Sequence, residues 1–196
     1  MIKAEKKQQR GEEKRALIAT EALKLFKEKG YKSVTVDEIV RVCGTSKGSF
    51  YHHYKSKADI LNEQFIIADK YYEKVYAGLP EGVSAKERFC TFMEKMYRYL
   101  DDTFGQEFLA VIYSTSLEME AHVYFRTPDR KLFMLFERLL AEITEEQESS
   151  LPLPVLKATL IQLAMGTIYY WCTLHDPQPL HVSAKAPIEH FLNGFR

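Results

Sequence analysis

At 196 residues, with 46% apolar residues and no net charge, the chain is long enough for one medium domain or two small ones and too apolar for extended disorder away from its ends. Its N-terminus, MIKAEKKQQR, is charged where a secretory leader needs an apolar run, and the longest apolar stretch, LIQLAMGTIYYWCTL, is too short for a bilayer span and is broken by Gln162. Cys43, Cys90 and Cys172 lie far apart with no CxxC pair, which argues for reduced thiols in a cytoplasmic protein, with small-apolar packing as their ordinary role ahead of redox sensing.

The charge is unevenly distributed. Residues 1–57 carry 14 Lys and Arg against 7 Asp and Glu, a balance of +7, and the remainder carries −7. A basic first third joined to an acidic body suggests a polyanion-binding head. Four of those cations lie in residues 1–10, so a solvated tail accounts for part of the excess.

Taken in chain order, nearly every segment predicts helix. Residues 1–11 form a basic arm with Lys3, Lys6, Lys7 and Arg10. In EEKRALIATEALKLFKEKG, Ile18, Ala22, Leu25 and Phe26 share one face, and Gly30 follows as a C-cap. TVDEIVRVCG opens with Thr35 and Glu38 at capping-box spacing and ends at Gly44. A short helix follows Ser46, and a longer one runs from Ser56, with Asp59 three residues on, to about Gly78. After GLPEGVS, Ser84 and Glu87 open a helix to about residue 103, and residues 105–125 form one or two more. Thr127-Pro128 is a helix start; the helix it opens carries Leu132, Phe136, Leu139 and Ile143 in one stripe, with Phe133 and Leu140 beside it. The next, about 153–174, carries Leu156, Leu160, Leu163, Thr167 and Trp171. HDPQPLHVSAKAP is a loop, and a short last helix covers 185–195. No alternating strand pattern and no repeat is present. The fold class is therefore all-α: an N-terminal three-helix unit over residues 12–57 and a larger helical body over 58–196.

Two short helices joined by a tight glycine turn describe a helix-turn-helix: Val36 to Val42, the turn Cys43-Gly44-Thr45, then Ser46 to about Tyr54. Val36, Ile39, Val40 and Phe50 form its inner faces. The second helix starts with Ser46, Lys47, Gly48 and Ser49, small enough for close approach to DNA, with Lys47 a good major-groove partner for guanine. Free N–H groups at a helix start attract phosphate. Lys55 and Lys57 flank the next helix start, placed for contact with the DNA backbone. An ordinary turn between two short helices is the competing reading of the same spacing.

The run ALIATEALKLFKEKGYKSVTVDEIVRVCGTSKGSFYHHYKSKADIL resembles the DNA-binding domain of TetR-family transcriptional regulators, with its LF…KGY…TV.EI, G.SKG..Y..Y.SK and K.D.L segments in family order over about residues 12–62. Tyr54 stands where family members more often have Phe. The resemblance implies phosphate contacts by Thr35 and Lys55, a backbone contact by Tyr51, and groove-facing positions at Thr45, Ser46, Lys47, Ser49 and His52, in preference to His53. Phe50 and Tyr54 are packing residues by the same comparison. The body matches in architecture alone.

Other chemistry is thinly supported. DDTFG at 101–105 lacks the third acid of a DDxxD site, Glu118 and His122 have surface-pair spacing, and His175, Asp176 and His181 lie near a proline-rich loop. GxSxG, P-loop and HExxH motifs are absent, and neither a metal nor a cofactor is implied. Twenty of the 25 aromatic residues follow residue 58. Phe65, Phe92, Tyr97, Phe104, Phe108, Tyr113, Phe133 and Tyr169 are the candidate lining of a ligand pocket between helices. The expected function is a homodimeric DNA-binding regulator, a repressor released from a pseudo-palindromic double-stranded operator by a small apolar or aromatic effector, with no membrane partner. The helices at 128–147 and 153–174 form the expected dimer surface, with Ala164 and Gly166 allowing close packing. The alternatives are a helical enzyme or lipid-binding protein with an incidental helix-turn-helix, and an effector-independent activator.

Overall fold

Ile18, Ala22, Leu25 and Phe26 recur at helical spacing, and all four are buried. They form the inner stripe of the first helix, α1 (Ile2–Lys29), whose end is closed by Gly30 at φ 78° with its N–H on the Phe26 carbonyl at 3.0 Å. The protein, seen here as a computed structural model, is described over residues 2–116, 127, 130–149 and 151–195, and the side chains of 2–7, 115 and 116 are not part of that description. Backbone helix begins at Ile2, so the segment expected to precede the first helix continues it. The reason is local: Lys, Glu, Gln, Arg and Ala are all good helix formers.

Thr35 caps α2 (Val36–Val42) by accepting the Glu38 N–H at 3.2 Å. Glu38 turns its own carboxylate to Lys29 and Arg41, so the capping-box spacing delivers one bond of two. The turn then closes as a Schellman motif. Gly44 sits at φ 58°, where a side chain would be strained, and Thr45 donates its N–H to the Val40 carbonyl at 2.9 Å. Ser46 caps α3 (Lys47–His53) through the Ser49 N–H at 3.2 Å. α4 (Lys57–Ala77) follows after three residues, with the Asp59 carboxylate accepting the N–H groups of Lys55 (2.8 Å) and Ser56 (3.3 Å).

In the body, Ser84 and Glu87 bond reciprocally at the start of α5 (Ala85–Ser116). Gly105, at φ 71° and ψ 166°, breaks that helix into two segments. α6 (Lys131–Glu146) buries its whole expected stripe together with Leu135. Of its expected start at Thr127-Pro128, Pro128 lies outside the described residues, as do Glu118 and His122; Arg130 occupies the N-cap. α7 (Leu153–Thr173) buries Leu156, Leu160, Ala164, Ile168 and Trp171, so the expected stripe through Leu163 and Thr167 is displaced by one position. α7 is apolar nearly all round, and such a helix sets its inner face by packing rather than by pattern. Ala164 is consequently buried within the subunit and unavailable to the dimer surface expected for it, while Gly166 is exposed. The segment expected as a loop contains one further helical turn, α8 (Leu180–Ser183), whose Leu180 N–H is accepted by Asp101 at 2.9 Å. α9 (Lys185–Leu192) ends the chain's helices.

Helices α1 to α3 form the head, α5 to α9 the body, and α4 belongs to both. One apolar cluster runs from Ile18 through Phe50 and Phe65 to Phe195 without a break, so head and body share a core.

Candidate DNA interface and body cavity

The Schellman turn aims the start of α3 outward. Phe50, fully buried, and Tyr54 anchor its inner side against α1 and α4, and the Tyr54 hydroxyl reaches both Glu63 and the Arg15 carbonyl. Burying a ring of that size contributes about 1.5–3 kcal/mol, enough to fix the helix's rotation. What remains outside is the set predicted from the sequence: Thr35, Ser46, Lys47, Gly48, Tyr51, His52 and Lys55 are exposed and Ser49 is half-buried. Tyr51 leaves 55% of its surface open, unusual for a ring with no cavity to fill. Gly48 has only the Ser46 hydroxyl near the position a Cβ would take, so its lack of side chain is not demanded by packing.

Three residues depart from expectation. Thr45 turns its hydroxyl oxygen inward, where it is buried, because its N–H is held on Val40. Lys57, expected at the DNA backbone, points into the protein: its ammonium donates to the carbonyls of Tyr31 (2.6 Å) and Val34 (2.7 Å) and lies 4.2 Å from the Tyr31 ring centroid. Burial holds its pKa below the usual lysine value. Lys47 is exposed but engaged, 2.8 Å from Asp37, whose carboxylate raises its pKa.

The body holds a small cavity of about 40 Å³ between α4, α5, α6 and α7. Phe65, Tyr113 and Phe133, all expected as lining, are there. Phe92 stands behind it, fully buried, with its ring 6.3 Å from those of Tyr72 and Phe136. Tyr97 borders a separate open groove of about 470 Å³ between α5 and α8–α9. Phe104 and Phe108 pair with each other at 5.5 Å and do not border the cavity. Tyr169 is 59% exposed on α7, so it too is no lining residue of this chain's cavity.

Sequence reasoning missed the polar part of the lining. Arg130 is buried there, its guanidinium 3.4 Å from the Asp69 carboxylate on α4 and 5.3 Å from the rings of Phe65 and Phe133. Tyr72, also lining, is fully buried, and its hydroxyl has no hydrogen-bond partner among the described residues. One signal was present: Phe65, Asp69 and Tyr72 fall at i, i+4 and i+7, which puts a carboxylate in an apolar stripe.

Among the described residues no group of three His, Cys, Asp or Glu is placed to hold a metal ion, and no helix is long and apolar enough to cross a membrane.

A basic helix-turn-helix head, with its second helix presented outward, sits on an all-helical body, an arrangement of the kind that reads DNA grooves. Residues 18–63 match the family model of bacterial regulatory proteins, tetR family. The uncharacterized HTH-type transcriptional regulator YuxN of Bacillus subtilis is 44% identical over 64 residues, 33% of this chain and 21% of that one. The chain thus spans about a fifth of that curated relative's length in the match. A TetR/AcrR-family transcriptional regulator from Thermobifida fusca is 26% identical, with a TM-score of 0.68 over 94% of this chain and 99% of its own. The fold is shared also with FadR of Bacillus subtilis, solved in complex with stearoyl-CoA, at 19% identity and a TM-score of 0.75 over 92% and 99% of the two chains.

Proposed function

We propose that this protein is a homodimeric DNA-binding regulator of transcription, a repressor released from a pseudo-palindromic operator by a small, largely apolar effector. The observation that carries the reading is the outward start of α3, where Ser46, Lys47, Gly48, Tyr51 and His52 are exposed beside Lys55 while their neighbours Phe50 and Tyr54 are buried. In this reading Lys47 and the small residues meet base edges in the major groove, and Thr35, Tyr51 and Lys55 hold phosphates. Lys47 exchanges Asp37 for DNA. The relatives' printed roles as transcriptional regulators support the same conclusion. A regulator of this kind works in the cytoplasm, where its operator is.

One helix per subunit reads one half-site, so a two-fold dimer matches a palindrome with half-sites about one DNA turn apart. The apolar side chains left open on α7, Val155 (44%), Tyr169 (59%) and Tyr170 (65%), are the surface we assign to the partner, with Gly166 between them allowing close approach. α4 links the functions: Lys55 precedes it, and Phe65, Asp69 and Tyr72 on it meet the cavity region. A ligand that favours one tilt of α4 moves both recognition helices, so operator contacts are lost twice.

The test is reciprocity. A small molecule found by thermal-shift screening weakens operator binding, and operator weaken its binding by the same factor, on the scale of about 5–150-fold. Stabilising molecules that all leave operator affinity unchanged refute the sensor reading.

A further inference from the structure

The stretch of α1 from Gln8 to Leu17 adds nothing to the core. All of its residues are exposed but the half-buried Gly11, and burial begins at Ile18. The backbone is nonetheless helical from Ile2. Most helical stability in proteins comes from packing, which a helix polar all round does not gain. Good helix formers and the Gln8–Glu12 side-chain bond at 3.2 Å supply part of what holds it. A surface that the helix meets would supply the rest.

Its charges are sorted by face. Positions 3, 7, 10 and 14 follow at steps of four, three and four, which keeps them on one side of a helix, and position 6 lies beside them. All five are Lys or Arg. Positions 5 and 12, seven apart, fall on the opposite side, and both are Glu. The basic side begins next to the recognition helix. Tyr54, at the end of α3, donates its hydroxyl to the Arg15 carbonyl at 3.3 Å, and the Arg15 guanidinium lies 4.9 Å from the Tyr54 ring centroid. Burial, then the charges of His52, Arg15 and Lys14, hold the pKa of His53 below the usual histidine value. Arg15 itself is engaged by Glu63 of α4 at 2.9 Å, so the stripe ends at Lys14.

We propose that this face of α1 lies along the phosphates of DNA outside the half-site read by α3, so that each subunit grips its operator in two places. This deepens the operator reading above and rests on it. From position 3 to position 14 the helix rises about 16 Å, which spans roughly five base pairs at about 3.4 Å each. An anionic membrane is the other polyanion such a stripe could meet, but a helix lying in a membrane surface needs a broad apolar face, and Ala4 is the only apolar side chain in residues 3–15.

The test uses the full-length protein and a mixed-sequence duplex of about 40 base pairs, because phosphate contacts carry no sequence information. K3Q/K7Q/R10Q removes three cations and keeps a good helix former at each position; E5Q/E12Q alters the opposite face. Anisotropy titrations from about 50 to 200 mM NaCl give the slope of log affinity against log salt. K3Q/K7Q/R10Q lowers that slope by about 0.9 for each cation removed, or about 2.7 for each bound subunit. E5Q/E12Q leaves the slope as it is, and both variants keep the wild-type melting temperature. An unchanged slope in K3Q/K7Q/R10Q overturns the proposal, and if that variant instead loses sedimentation with phosphatidylglycerol vesicles, the face belongs to a membrane. A steeper slope for E5Q/E12Q, in proportion to the charge removed, also overturns it, because net charge alone would then be acting. In each of these cases the wild type still binds DNA and the reading of α3 stands. A wild type that binds neither this duplex nor one from upstream of its own gene refutes that reading and this proposal together.

Discussion

The Lys57 ammonium lies 2.6 Å from the Tyr31 carbonyl oxygen and 2.7 Å from that of Val34, so the first residue of α4 ties down the chain between α1 and α2. Two lysines two residues apart thus have different work. Lys57→Met removes charge-assisted bonds to carbonyls that water reaches poorly, at a cost of about 1–3 kcal/mol. In a chain of this size that lowers the melting temperature by about 2–4 °C per kcal/mol. Lys55→Met leaves the melting temperature alone and flattens the salt dependence of operator binding by about one charge. Melting curves and salt titrations on both variants separate the two roles; the opposite pattern would exchange them.

Lys47 and Asp37 form an exposed pair that operator binding must open. Exposed pairs are weak because water and salt screen them. Asp37→Ala therefore tightens operator binding modestly at low salt, and the gain shrinks as salt rises. Weaker binding by this variant in anisotropy titrations would mean that Asp37 positions Lys47 for its base contact.

Gly105 holds a backbone conformation, φ 71° and ψ 166°, that side chains avoid, although nothing crowds its Cβ position. Gly105→Ala costs about 1–3 kcal/mol through strain alone. Urea denaturation measures it; a variant as stable as wild type would show that the break in α5 relaxes without penalty.

Burial raises the pKa values of all three thiols, Cys172 to about 11. Labelling of Cys172 by a thiol reagent is therefore slow at pH 7.5 and rises about tenfold per pH unit. The sign for stability follows. Below about pH 8.5, the ordinary thiol value, neither state ionises, and between there and about 11 the unfolded chain ionises first, so stability falls as pH rises. Rapid labelling of the folded protein at neutral pH would contradict the burial argument.

What the sequence made legible was local. Thr35, Ser46, Asp59 and Glu87 mark helix starts because their partners lie within four residues, and Gly44 marks the turn because only its backbone conformation is at stake. The exposed and buried sides of α3 followed from the same short range. Lys57 was misplaced because its acceptors lie 23 and 26 residues away, and Thr45 because a backbone bond to Val40 rotates it inward. Arg130 and Asp69 are 61 residues apart, and no periodicity links them. α7 misled by being apolar on every face, so Ala164 was assigned outward and Tyr169 inward.

The central claim is that the outward face of α3 binds operator DNA. It is tested most directly by fluorescence anisotropy on a duplex taken from upstream of the protein's own gene, with an unrelated duplex as control. The wild type binds the upstream duplex at least about 10³-fold more tightly than the control. Lys47→Ala reduces that ratio, whereas Tyr51→Ala weakens both duplexes alike with the fold intact by circular dichroism. Equal binding of both duplexes by the wild type, or no effect of either substitution, would contradict the account.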